Sequence, residues 1–122
     1  MDVLVVDDKD INLRTLSRLL SHRGLECASA RSAGEALKLF KSNKIPLVIS
    51  DIDMPGMNGV ELGLQIRARR SETILYAFTG SSGGDLLEAA EEVFDRVFSK
   101  PSEISPLIDT TVAALESLRV KA

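Results

Sequence analysis

The sequence predicts an α/β fold, one parallel sheet with helices on both faces. Short continuous apolar runs recur, Val3–Val6 and residues 47–49 being the clearest. Each is too short for a helix and reads as a strand buried on both faces. Segments with apolar residues at helical spacing separate these runs. Strand and helix alternate five times, the pattern of a parallel sheet with crossover helices.

The first strand, Val3–Val6, ends in Asp7-Asp8. A helix follows from about Asp10, with Leu13, Leu16 and Leu20 on one face. His22 and Arg23 bring donors to its end, and Gly24 is placed as its left-handed cap. Cys27–Ala30 is a weak second strand. Ser32 and Glu35 have the capping-box spacing, so the second helix starts at Ser32 and buries Ala33, Leu37 and Phe40. Ile45-Pro46 returns the chain to a central strand, Leu47, Val48 and Ile49, that ends at Asp51 and Asp53. Pro55-Gly56 and Asn58-Gly59 read as turns. Leu62 and Ile66 support a short helix; Arg67, Arg69 and Arg70 at its end suit the helix dipole and read as a solvated face. Residues 73–78 form the fourth strand, ending in Thr79. Residues 81–84 are a loop with Ser82 as the expected helix cap, and residues 85–92 are helical by propensity. Residues 96–98 are the fifth strand, ending in Ser99-Lys100-Pro101. Ile104, Leu107, Ile108, Thr111, Leu115 and Leu118 keep helical spacing to the C-terminus. That helix begins after Ser102, or after Ser105 with Pro106 in its first position.

The chain has 122 residues, enough for one domain with a real core, and a single domain over 1–122 is expected. Apolar content of 44% and charged content of 27% are ordinary for a globular protein in water. No apolar run is long enough to cross a bilayer, and no signal-peptide pattern is present. A net charge of −3 gives no reason to expect nucleic-acid binding. Cys27 is the only cysteine, which excludes an internal disulfide and fits a reducing, cytoplasmic location.

An acid thrown out at the carboxyl end of a buried parallel strand lies where open α/β sheets place their ligand sites. The stretch from Ile45 through Asp51 and Asp53 to Gly59 resembles the phosphoacceptor strand and loop of response-regulator receiver domains. The resemblance covers essentially the whole chain. It implies a flavodoxin-like, doubly wound five-stranded sheet of order 2-1-3-4-5 with five helices. In that family an acidic pair and the acceptor aspartate hold Mg²⁺, and the residue two after the acceptor supplies a backbone carbonyl. By matching motifs, Asp7 and Asp8 take the acidic-pair role, Asp51 the acceptor role and Asp53 the carbonyl role. Thr79 takes the switch-hydroxyl role and Lys100 the lysine role, each against the phosphoryl group. A cis bond before Pro101 is common in the family.

The chemistry at the strand ends supports this. Clustered carboxylates repel one another unless a cation lies among them. An all-oxygen donor set favours a hard ion, Mg²⁺ where water and a phosphoryl group complete the shell. Lys100 adds a compact positive charge and Thr79 a hydroxyl donor, a set suited to phosphoryl transfer onto a carboxylate. Taken singly, Asp-Asp is a solvated turn, Asp51 a cap, Thr79 structural and Lys100 exposed. Together each follows a separate strand in the expected order. His22 reads as a helix-end residue, and Met54 and Met57 as packing.

One departure bears on output. Receivers commonly carry an aromatic residue three before the lysine, and here that position is Val97, with Phe98 facing the opposite side. The three glycines in residues 80–84 are expected to leave that loop mobile, and the signal to leave through it. The expected function is a phosphoacceptor switch, not an enzyme. A histidine kinase or histidine phosphotransfer protein is the donor, and the fourth helix, fifth strand and last helix form the output face. The segment from Asp8 to Leu13 has the character of hybrid kinases. The runner-up is a phosphatase, because Asp51-Ile-Asp53 resembles the nucleophile motif of the haloacid-dehalogenase type. That family needs later acidic ligands, and no Asp-Asp pair follows Asp51 here. A third reading is an interaction domain that is never phosphorylated.

Overall fold

The computed structural model describes residues 1–81 and 83–121; the expected cap Ser82 lies outside them. The elements are β1 (Val3–Val6), α1 (Asp10–His22), β2 (Cys27–Ala30), α2 (Ala33–Ser42), β3 (Leu47–Ser50), α3 (Gly59–Arg69), β4 (Ile74–Thr79), α4 (Asp85–Val93), β5 (Arg96–Ser99) and α5 (Ile104–Lys121). All strand pairs are parallel and the sheet order is β2-β1-β3-β4-β5, the expected doubly wound topology.

Strand alternation divides the core in two. Val3, Val5, Leu47, Ile49, Tyr76 and Phe78 pack with Leu13, Leu16 and Leu20 of α1 and Leu107, Ile108 and Leu115 of α5. Leu4, Val6, Val48, Leu75 and Ala77 face the other way, onto α2, α3 and α4. Phe98 lies in the first layer, edge-on to Tyr76 with ring centroids 5.7 Å apart, while Val97 packs in the second. The two side chains therefore point to opposite faces, as alternation requires. Met54 is buried and Met57 half-buried against the second layer, and His22 is exposed at the end of α1. Burial pushes the Cys27 thiol up to about 11, with Asp2 adding to the shift, so it is a poor nucleophile at neutral pH.

The expected caps hold at two helix ends. Gly24 takes φ 83° after α1, and its N–H donates to Ser21 O at 3.0 Å. Ser32 Oγ accepts from Glu35 N–H at 3.1 Å. Four readings change. Asn58-Gly59 is a helix start: Asn58 Oδ1 accepts from Glu61 N–H at 3.0 Å, and Glu61 Oε1 accepts from Asn58 N–H at 3.2 Å, a complete capping box. Helix α4 begins after Gly84, at φ 95°, with no side-chain cap. Neither Ser102 nor Ser105 caps α5. That helix starts at Ile104, and Pro106 is its third residue, where its missing N–H would have had no helical partner.

The arginines at the end of α3 are the fourth change, because two of the three are not a solvated face. Arg67 donates to Ser71 O, Thr73 O and Val93 O at 2.9–3.2 Å and pairs with Asp95 at 3.3 Å. Arg70 donates to Phe40 O at 3.0 Å and Asn43 O at 3.2 Å and stacks 4.3 Å over the Phe40 ring. These side chains tie α3 to the ends of α2 and α4. Only Arg69 is fully exposed.

Gly59 is where the fold most restricts the acceptor loop. A Cβ on it would lie 2.6 Å from Ile52 Cα and 2.9 Å from Asp51 C, nearer than real side chains approach. Gly59 N–H donates to Ile52 O at 2.9 Å, locking the first turn of α3 onto the acceptor strand. Gly59→Ala should therefore destabilise the protein by about 1–3 kcal/mol, the usual cost of overpacking. Gly80→Ala, where a Cβ meets nothing within 4 Å, should be nearly neutral. Urea denaturation of both variants measures the contrast.

Candidate functional site

The register of the sheet levels the functional residues. Val6 pairs with Ser50, so the next residues, Asp7 and Asp51, emerge side by side from β1 and β3. Asp51 N–H donates to Val6 O at 2.9 Å, which continues the ladder one step past the strands. By alternation both side chains fall on the α1/α5 side, in line with Val5 and Ile49. Strand β4 runs further, Ala77 being level with Ser50, and Thr79 pairs with Ser99 just before Lys100. Lys100 N–H donates to Thr79 O at 2.8 Å, fixing the root of the lysine beside β4, and the Lys100–Pro101 bond is cis.

Lys100 Nζ stands 2.5 Å from Asp7 Oδ2 and 3.2 Å from Asp51 Oδ2, bridging the two carboxylates, and 5.6 Å above the Phe78 ring. Asp7 and Asp51 are 4% and 9% exposed, so little water reaches them. Asp7 Oδ1 accepts from Lys9 N–H at 2.9 Å, and Asp7 Oδ2 also accepts from Asn12 Nδ2 at 3.2 Å. Asp51 Oδ1 accepts from Ile52 N–H at 2.8 Å.

Asp8 differs. Its Oδ1 is buried without a partner among the described residues, and Lys9 Nζ is 4.0 Å from its other oxygen. Asp7, Asp8 and Asp51 each bring one carboxylate oxygen within 4.8 Å of the others. Repulsion at that distance is on the order of 3 kcal/mol per pair at an effective dielectric of about 20. One ammonium does not balance three carboxylates, and a buried acceptor left unpaired costs about 1–3 kcal/mol. The cluster and its orphaned oxygen fit a hard divalent cation.

Asp53 is exposed, outside the three-carboxylate cluster, and lines a cavity of about 310 Å³ with Lys9, Asn12, Asp51, Thr79 and Lys100. Thr79 is 2% exposed, and its Oγ1 accepts from Ser81 N–H at 3.1 Å. Every residue expected at the site therefore reaches this edge. Asn12, Lys9, Ser81 and the Phe78 ring were not expected there. Asn12 stands one turn into α1, four residues past Asp8, and that spacing is the signal that could have flagged it.

The sequence matches the response regulator receiver domain family over residues 3–112. It is 30% identical over 105 residues to the autoinducer 1 sensor kinase/phosphatase LuxN of Vibrio campbellii, covering 86% of this chain and 12% of that protein. To the sensor histidine kinase RcsC of Escherichia coli it is 31% identical over 120 residues, covering 98% of this chain and 13% of the relative. The chain thus spans about an eighth of the length of the curated relatives it matches. A receiver domain protein from Clostridium thermocellum superposes with a TM-score of 0.84 at 27% identity, covering 99% of this chain and 98% of that one. The response regulator TrrA of Thermotoga maritima, in complex with Mg(2+)-BeF, superposes with a TM-score of 0.83 at 31% identity, covering 94% and 99%. None of this favours the phosphatase alternative. Sequence match, topology and structural neighbours converge, and the chain belongs to the response regulator receiver domains of two-component signalling.

Proposed function

We propose that Asp51 is the phosphoacceptor of this receiver and that a phosphohistidine on a histidine kinase or histidine phosphotransfer protein is its donor. The observation that carries this is Lys100 bridging Asp7 and Asp51 at an edge where Asp8 holds a buried oxygen with no partner among the described residues. Asp51 Oδ1 accepts from the Ile52 N–H and Oδ2 from Lys100 Nζ; Oδ2 is the oxygen that attacks phosphorus, Lys100 passing from it to the phosphoryl group. The P–N bond breaks as the new P–O bond forms, and its electron pair leaves on the imidazole nitrogen. Asp7, Asp8 and Asp51, with the Asp53 backbone carbonyl, would hold Mg²⁺, which supplies charge neutralisation for the carboxylates and the phosphoryl oxygens. Lys100 then pairs with a phosphoryl oxygen. Thr79 gives its hydroxyl hydrogen to another. The chain acts as a switch that assists its own phosphorylation and dephosphorylation. Its output partner binds the face of α4, β5 and α5.

Three variants test this. Incubation with a small-molecule phosphodonor and Mg²⁺ should add one phosphoryl group, read by intact mass, and Asp51→Asn should abolish it because an amide is a poor nucleophile. Label appearing on another residue of that variant would refute the assignment. Asp8→Ala and Lys100→Ala should shift metal-free stability in opposite directions. Removing Asp8 relieves repulsion and deletes an unsatisfied acceptor, so melting temperature without metal should hold or rise while its increase on adding Mg²⁺ disappears. Removing Lys100 leaves two buried carboxylates without their cation. It should cost about 3–5 kcal/mol in the metal-free protein, with part recovered on adding Mg²⁺, and should slow phosphoryl uptake.

A further inference from the structure

Asn12 lies against the acceptor edge and has no part in the reaction proposed above. It is the third residue of α1, and its Nδ2 donates to Asp7 Oδ2 at 3.2 Å. The same oxygen pairs with Lys100, and Asp7 Oδ1 accepts from the Lys9 N–H. Asp7 is thus held by three donors, whereas one buried oxygen of Asp8 has none among the described residues.

The three donors are not equivalent. Lys100 ends a flexible four-carbon stem and passes to a phosphoryl oxygen in the proposed reaction. The Lys9 N–H belongs to the backbone just before α1 and holds the other oxygen. Asn12 carries its amide on a short side chain, on a helix anchored in the core by Leu13, Leu16 and Leu20. It is therefore the fixed donor to Asp7 Oδ2. Asp7 is only 4% exposed, so water does not readily take the place of that amide. One donor on each oxygen sets the plane of a carboxylate, and with it the direction of the lone pairs left for a metal. Asn12 also lines the cavity that holds Asp51, Thr79 and Lys100. Beside it lies a void of about 10 Å³ whose apolar lining includes Val5, Leu16, Ile49 and Phe78. That void has room for about one water at most.

We infer that Asn12 is a positioning residue for the metal: by holding Asp7 Oδ2 it fixes that carboxylate in the orientation that receives Mg²⁺ beside Asp8 and Asp51. This rests on the Mg²⁺ reading above and adds an outer partner to its ligand set. Such partners orient the groups that touch a metal and set affinity through them.

The test is a Mg²⁺ titration of the full chain, followed by backbone amide shifts, in wild type, Asn12→Leu, Asp7→Ala and the double variant. Leucine is close to asparagine in size and meets the apolar lining beside it, so the variant should fold. Asn12→Leu should weaken Mg²⁺ binding by about tenfold or more. On top of Asp7→Ala the same change should alter affinity by less than about twofold, because the group it acts through is gone. The Asn12 side-chain amide resonances, assigned by their loss in Asn12→Leu, should shift in Asp7→Ala. Wild-type affinity in Asn12→Leu, or a loss in the double variant as large as in the single one, would overturn the inference. Should Asn12→Leu fail to fold, Asn12→Ala carries the same expectations. Intact mass after incubation with a small-molecule phosphodonor reports the acceptor separately. Uptake that Asp51→Asn abolishes, alongside unchanged Mg²⁺ affinity in Asn12→Leu, removes the role of Asn12 and leaves that of Asp51 standing.

Discussion

The ammonium of Lys100, shared between Asp7 and Asp51, is the interaction on which the rest of the edge depends. It joins the ends of β1, β3 and β5, strands otherwise held by the backbone ladders that run through β4 and by apolar packing. Without a cation the two carboxylates, held side by side by the Val6–Ser50 register, would repel in a place water barely reaches. The lysine is in turn fixed from below, by its own N–H on Thr79 O, and faced by the Phe78 ring. The hydroxyl residue and the cation are thus joined through the backbone before any phosphoryl group arrives.

That arrangement leaves Asp8 as the unsettled member of the acidic pair. Asp7 has donors on both oxygens, from the Lys9 backbone, Asn12 and Lys100. Asp8 retains a buried oxygen without one among the described residues. The imbalance is local and electrostatic, and it sits within a core that is otherwise well satisfied, as with the back-bonded hydroxyl of buried Thr111. Strain confined to one carboxylate is a common mark of a site built for something that binds.

Most of the fold was legible because its signals are local. Apolar runs of three or four residues, i,i+4 leucines and two caps place the elements, and alternation alone separates Val97 from Phe98. The candidate site was legible because its chemical residues gather at strand ends: Thr79 closes β4, and Asp7, Asp51 and Lys100 directly follow β1, β3 and β5. What escaped was non-local or overruled by a stronger local pattern. Asn58-Gly59 is a common turn pair, and it concealed the Asn58–Glu61 capping box that actually begins α3. Besides the near carbonyls of Ser71 and Thr73, Arg67 and Arg70 reach carbonyls 26 to 30 residues away in sequence, at Val93, Asn43 and Phe40, where no spacing rule reaches. Asn12 went unread in the sequence, and only the fold puts Asp7 within reach of its amide.

The alternation that builds the core also divides the edge. Asp7, Asp51 and Lys100 belong to the α1/α5 side of the sheet, while Thr79 and Val97 belong to the side of α2, α3 and α4. The sheet is therefore a bulkhead between two chambers, and the Thr79–Ser81 rim is the passage at its top. A body approaching Asp51 over α1 leaves the far chamber uncovered. The two openings can then be filled at the same time.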